Sequence, residues 1–214
     1  MKKEELYKFV DHTALKAYTT WEDITRLCDE AVRYKTASVC IPSCYIKKVK
    51  EAYLGKINIC TVVGFPLGYA NTEGKAAETK QALLDGADEI DMVINLTDVK
   101  NGDYDKVEEE IAVLKRIVKD KILKVIIETC YLTQDEKLAM CKTVTNAGAD
   151  YIKTSTGFGT GGATLEDVIL LRENIGPAVK IKAAGGIRSK EDMEAYIAAG
   201  CARLGTSSAV EILG

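Results

Sequence analysis

Gly86-Ala-Asp-Glu-Ile-Asp91 and Gly148-Ala-Asp-Tyr-Ile-Lys153 are one phrase written twice, 62 residues apart, and Gly200-Cys-Ala-Arg-Leu-Gly205 varies it 52 residues further on. Each glycine follows an amphipathic stretch and precedes a short turn into an apolar segment, the pattern of a helix that stops on a residue able to take positive φ. The two spacings divide into two units of 31 and two of 26 residues, close to the roughly 30 residues of a strand-helix unit. Upstream of the helices, Thr20-Trp-Glu-Asp23, Thr133-Gln-Asp-Glu136, Thr164-Leu-Glu-Asp167 and Ser189-Lys-Glu-Asp192 fit or approximate a capping box. Ile24, Leu27 and Ala31, and Val107, Ile111, Leu114 and Val118, repeat at the spacing of a helix with one buried face.

Between these helices the sequence predicts eight strands: 9–13, 38–41, 57–65, 89–95, 124–129, 151–155, 179–183 and 203–206. Strands joined by helices lie parallel. The expected architecture is therefore α/β, a closed (β/α)8 TIM barrel of compact size, with a last short helix at 209–213 and one domain over residues 1–214. An open doubly wound sheet is the alternative.

Composition narrows the function classes. Lys and Arg number 29 against 32 Asp and Glu, a net charge of −3, so the overall field repels phosphate backbones and no nucleic-acid partner is expected. No apolar run approaches the roughly 20 residues of a membrane span, and the N-terminal MKKEELYKFV places glutamates where an export signal needs apolar residues. A soluble, cytoplasmic protein is expected. Its seven cysteines, an odd number scattered through the chain, read as reduced thiols, and Cys40 and Cys44 have no second pair to complete a zinc site. His12 is the single histidine, which argues against a His-rich metal centre, so neither a metal nor a cofactor is expected.

In such a barrel the site lies at the C-terminal ends of the strands. Five residues beyond the repeat glycines stand Asp91, Lys153 and Gly205, read as equivalent points on three strands. Alternation sends Ile90, Met92, Ile94 and Ile152 toward the helices and leaves Asp91 and Lys153 facing inward, with Lys180 and Lys182 inward on the next strand. One inward Lys–Asp pair is as well read as a structural ion pair. A second inward lysine changes the balance, because two neighbouring ammonium groups repel and burial favours the neutral amine, the form that attacks a carbonyl. Two lysines and a carboxylate at a barrel mouth point to Schiff-base chemistry.

Anion-binding signals follow the last two strands. Gly185-Gly-Ile-Arg-Ser189 and Gly205-Thr-Ser-Ser208 offer backbone N–H groups, serine hydroxyls and a helix start, a combination that suits phosphate although each loop alone is also an ordinary tight turn. Gly185, Gly186, Arg188, Gly205, Ser207 and Ser208 are the expected contacts. Gly157-Phe-Gly-Thr-Gly-Gly162 matches a dinucleotide-binding spacing but lacks the acid at the end of the next strand; it reads better as a flexible loop over the site, near Lys153 and Thr156. Asp11, His12 and Thr13 read either as a substrate contact or as groups satisfied within the fold. Cys40 reads as small apolar filler rather than a nucleophile, because no histidine beyond His12 exists to activate it. Asn95 and Glu128 end strands and are candidates to line the pocket.

The segments Glu89-Ile-Asp-Met-Val-Ile-Asn95, Lys124-Val-Ile-Ile-Glu-Thr-Cys130, Tyr151-Ile-Lys-Thr-Ser-Thr-Gly-Phe158 and Ile181-Lys-Ala-Ala-Gly-Gly-Ile-Arg188 resemble the 2-deoxyribose-5-phosphate aldolases, and the resemblance runs from Val10-Asp-His-Thr13 through Gly64-Phe-Pro-Leu-Gly68 to Gly205-Thr-Ser-Ser208. It implies a class I aldolase that cleaves 2-deoxy-D-ribose 5-phosphate to D-glyceraldehyde 3-phosphate and acetaldehyde, with Lys153 as Schiff-base lysine, Lys182 as second lysine and Asp91 as relay carboxylate. After Asn95 the chain runs Leu-Thr-Asp where that family more usually has Ile-Gly, and no tail beyond Gly214 is present to compare. A sugar phosphate and acetaldehyde are the expected partners, in a homodimer. A phosphate-binding isomerase or synthase, which does not need two inward lysines, and a non-catalytic sugar-phosphate sensor are the readings from other classes.

Overall fold

The computed structural model, which describes residues 1–214, joins eight parallel strands in chain order into a closed barrel, with β8 paired back to β1. The strands are β1 Val10–Thr13, β2 Ser38–Ile41, β3 Ile59–Val63, β4 Glu89–Val93, β5 Ile122–Ile126, β6 Tyr151–Lys153, β7 Lys180–Ala184 and β8 Cys201–Thr206. Around them run α1 Lys3–Tyr7, α2 Trp21–Tyr34, α3 Ile46–Tyr53, α4 Thr72–Asp85, α5 Leu96–Lys100, α6 Tyr104–Val118, α7 Gln134–Asn146, α8 Leu165–Asn174, α9 Lys190–Ala198 and α10 Ala209–Leu213. Closure excludes the open sheet. No helix is long and apolar enough to cross a membrane.

The local signals behave as their chemistry requires. Thr20, Thr133 and Ser189 complete reciprocal capping boxes with Asp23, Glu136 and Asp192. Thr164 does not: its side chain accepts from the Asp167 N–H, but the Asp167 carboxylate is taken by Lys137 Nζ at 2.5 Å instead of returning to the cap. Gly86, Gly148 and Gly200 take φ of 111°, 73° and 113° and end α4, α7 and α9. Strand boundaries move by a few residues. Ile57 lies outside β3 and Asn95 outside β4, while β5 and β8 each start two residues early, at Ile122 and Cys201.

Ile90, Met92, Ile152 and Ile181 face outward and are buried under the helices, in one cluster with Ile24, Leu27, Ala31, Val107, Ile111, Leu114 and Val118. This sheet-to-helix layer holds the main apolar core. One polar pair crosses it: Lys75 of α4 and Glu110 of α6 meet at 2.8 Å, both buried, and Lys75 Nζ also donates to the Val93 carbonyl. The loop after β3 closes on β4 through Gly68, where a Cβ would stand 2.0 Å from the Ile94 carbonyl oxygen.

Strand tilt bears out one sequence reading. Asp91 and Lys153 both face inward and stand in one layer: Asp91 pairs with Lys124, which pairs with Tyr151, and because the strands of a closed barrel are tilted, the residue two further along the next-but-one strand, Lys153, lies level with Asp91. The same step leads on to Gly205 and Cys40 and back to Asp91, so counting from helix-end glycines gives both orientation and level. Lys153 and Lys182 are direct register partners.

Candidate active site

Charged side chains fill the upper barrel. The Lys153 and Lys182 ammonium nitrogens both lie on Asp91 Oδ2, at 2.8 and 2.7 Å, and Lys124 Nζ lies on Asp91 Oδ1 at 2.8 Å. Lys182 also reaches Asp11 Oδ2 at 2.5 Å, and Lys124 reaches Glu89 Oε2 at 2.5 Å. Beneath them Arg203 bridges Asp11 at 2.5 Å and Glu89 at 3.0 Å, while Ser38 Oγ donates to Asp11 at 2.6 Å. All are buried.

The pairing therefore goes well beyond two lysines and an aspartate. Four cations, Lys124, Lys153, Lys182 and Arg203, face three acids, Asp11, Glu89 and Asp91, an excess of one positive charge when all are ionised. Burial pushes the Asp91 carboxyl up, but Lys124, Lys153 and Lys182 outweigh it and hold the acid well below the usual carboxylate range. Burial opposes ionisation of Lys182 as well, and there Asp11 and Asp91 outweigh it and raise the ammonium above its ordinary value. The same contest raises Lys124 and Arg203 and lowers Asp11. Lys153 differs in having one carboxylate partner where Lys182 has two and Lys124 three. Of the three lysines, it loses the fewest ion pairs on becoming the amine.

The sequence reading missed Lys124, Glu89 and Arg203, and left Asp11 open. Each is a charge inside an apolar strand, the same anomaly that exposes Asp91, but no glycine ends the helix before β5, so the register count did not reach Lys124. Asp11 is wholly satisfied within the network, and His12 faces α2, where Nε2 meets Glu30 at 2.7 Å. Asn95 caps α5 by accepting from the Thr97 N–H. Glu128 is buried and accepts from the Thr156 N–H at 3.1 Å and from its hydroxyl, so it holds the loop after β6.

Above the network opens a cleft of about 910 Å³, lined by Lys153, Thr156, Gly185, Gly186, Arg188, Gly205, Ser207 and Ser208 among others. Gly185 and Gly186 take φ of 79° and 77°, and the Arg188 backbone N–H is tied to Asp192. Gly205 also serves the network below. A Cβ there would meet Lys182 Cε at 3.1 Å, so its lack of a side chain leaves room for the lysine. The loop over the cleft is fastened at both ends. Phe158 packs edge-on against Phe65 at 5.3 Å, and Gly162 abuts Gly185 so closely that a Cβ would stand 2.4 Å from its carbonyl oxygen.

Comparison with known proteins agrees with this geometry. The chain is 68% identical over 213 residues to the deoxyribose-phosphate aldolase of Clostridium botulinum strain Alaska E43, covering 100% of this chain and 96% of that one, and 60% identical over 210 residues to that of Clostridioides difficile strain 630, covering 98% and 96%. Among solved structures, the deoxyribose phosphate aldolase of Aeropyrum pernix, described as a tetramer, superposes with a TM-score of 0.90 at 32% identity over 99% of this chain and 91% of that one. With residues 6–207 also matching the family model described as DeoC/LacD family aldolase, the chain belongs to that family of aldolases.

Proposed function

We propose that the chain cleaves 2-deoxy-D-ribose 5-phosphate reversibly to D-glyceraldehyde 3-phosphate and acetaldehyde through a Schiff base on Lys153, in one barrel domain over residues 1–214. The observation that carries the assignment is the shared Asp91 oxygen: Lys153 and Lys182 meet on it at the floor of the cleft, and only Lys153 of the two lines that cleft. The Lys153 amine adds to the aldehyde carbon of the open-chain sugar, and loss of water gives a protonated imine. That imine restores the excess positive charge the amine had relieved. Removal of the 3-hydroxyl proton then breaks the C2–C3 bond, the electron pair flows into the imine, and a neutral enamine remains. Asp91, relayed by Lys182 or a water, accepts that proton and returns one to the enamine carbon. Hydrolysis releases acetaldehyde.

Arg188, Gly185, Gly186, Gly205, Ser207 and Ser208 hold the 5-phosphate, with Thr156 beside the reacting carbons. Support comes from their lining the same cleft as Lys153 and from an Arg188 guanidinium engaged in no ion pair. For the assembly, a homodimer follows from the general preference for two-fold pairing, and light scattering that finds a monomer refutes it. A reducing, cytoplasmic setting suits seven free thiols.

Borohydride reduction in the presence of acetaldehyde is the direct test. A single ethyl adduct on Lys153 is expected. An adduct on Lys180 or Lys182, or loss of activity on chelation of metal ions, overturns the assignment.

A further inference from the structure

Cys40 of β2 and Cys60 of β3 are register partners on neighbouring strands, and both turn into the barrel. Parallel neighbours lie about 4.8 Å apart, inside the range of roughly 4.4–6.8 Å between Cα atoms that a disulfide spans. Their sulfurs lie within 4.8 Å of each other and of a carboxylate oxygen of Asp91. Cys60 donates its S–H to Asp91 Oδ1 at 3.1 Å and stands 3.3 Å from Lys124 Nζ. The aldol cleavage steps use neither sulfur.

The two thiols are not equivalent. The neighbouring Cys60 thiol lowers the Cys40 thiol against the opposing effect of burial, with Lys182 and Lys153 assisting, whereas burial pushes Cys60 well up. Cys40 is thus the more readily ionised of the pair, with no histidine needed, and Cys60 keeps the proton it gives to Asp91. Three such ligands also have the spacing of a metal site. The three lysines bonded to Asp91 argue against that use, since a divalent cation would add charge where cations already outnumber acids.

We propose that Cys40 and Cys60 form an oxidisable dithiol inside the barrel, which a two-electron oxidant of the peroxide class converts to an intramolecular disulfide that disables Lys153. The Cys40 thiolate attacks one peroxide oxygen; the S–O bond forms, the O–O bond breaks, and the departing hydroxide takes up a proton to become water. Cys60 then attacks the sulfenic sulfur, the S–S bond forms, and a second water leaves with the Cys60 proton. Two thiols and one peroxide give one disulfide and two waters. Asp91 loses the Cys60 S–H donor, and the Cys60 sulfur is drawn from Lys124 toward β2, so the carboxylate shared by the lysines is released on one side. The loss of activity rests on the aldolase reading; the cross-link does not. Leu15 and Phe65 cover the pair, and Leu15 lines the cleft, so oxidation proceeds from the cleft at a rate set by movement of that cover.

The test treats the full chain with hydrogen peroxide, alkylates remaining thiols, and measures in the same samples peptide linkage without reductant, aldol cleavage and borohydride-trapped imine. A Cys40–Cys60 peptide that rises as cleavage falls at least tenfold, with both reversed by dithiothreitol, supports the proposal. Cys60→Ser, which keeps a donor to Asp91, and Cys60→Ala both abolish the linked peptide and the reversible component of inactivation. Oxidation confined to Cys44 or Cys130, or full linkage with cleavage unchanged, overturns it. Absence of imine in the untreated protein would instead refute the aldolase reading, so the two failures are distinct.

Discussion

Replacing Lys182 with methionine keeps the length of the side chain and removes its charge, and the charge count predicts the consequence. Without Lys182, three cations face three acids, and the site is neutral only when Lys153 is an ammonium. The magnitude follows from the shared oxygen. Lys153 and Lys182 approach Asp91 Oδ2 at 2.8 and 2.7 Å, so their nitrogens are at most about 5.5 Å apart. Two unit charges at that separation repel by about 3 kcal/mol at an effective dielectric of 20 and about 0.7 kcal/mol at that of water. At 1.36 kcal/mol per pH unit, losing that repulsion moves the midpoint of imine formation upward by about 0.5–2 units. The assay is the yield of borohydride-trapped imine with acetaldehyde as a function of pH, which reads nucleophile protonation apart from later proton transfers. Asp91→Asn supplies the opposite sign, a midpoint lowered by about one to three units, because the carboxylate holding the ammonium is gone. A urea titration of each variant separates these shifts from unfolding. An unchanged or lowered midpoint in Lys182→Met refutes the reasoning and leaves burial alone to tune the amine.

Arg188→Ala should raise KM for the phosphorylated sugar tenfold or more while changing that for unphosphorylated deoxyribose little; equal changes would remove Arg188 from phosphate binding. Glu110→Ala strands the buried Lys75 ammonium and should cost about 3–5 kcal/mol in urea unfolding, whereas Lys75→Met with Glu110→Leu should return to within about 1 kcal/mol of the wild type or exceed it. Burial lowers Lys75 and raises Glu110 despite their contact, the sign of a pair whose desolvation outweighs its attraction; a double variant as unstable as the single would contradict that. Asp11 is held below its ordinary value, burial being outweighed first by Lys182 and then by Lys124 and Arg203. Its contribution is therefore present above about pH 4 and lost as pH falls through the depressed folded value. Asp11→Asn should lower stability at neutral pH and flatten its decline below pH 4, and a decline as steep as that of the wild type would count against the network.

Much of this was legible along the chain because helix ends and strand faces are local facts. Positive φ at Gly86, Gly148 and Gly200, the capping hydroxyls of Thr20, Thr133 and Ser189, and the alternation around Asp91 and Lys153 each depend on a few neighbouring residues. The eight-unit barrel and the inward direction of both side chains could therefore be read from spacing, and the resemblance of the KTSTGF and KAAGGIR segments carried the aldolase assignment.

What the sequence could not carry is distance across the barrel. Lys153 meets Asp91 across β5 because closure tilts the strands until the two stand in one layer, and no local pattern encodes how near that brings their side chains. For the same reason Asp11 and Arg203, 192 residues apart, become one ion pair, and Lys124 turns a trio into part of a network of seven charges. The protonation balance depends on that whole set, since buried charges act through space on every neighbour within a few ångströms. Local chemistry determined which residues point inward; only the closed tertiary structure decided which of them share a proton, a carboxylate or, at Cys40 and Cys60, a neighbouring thiol.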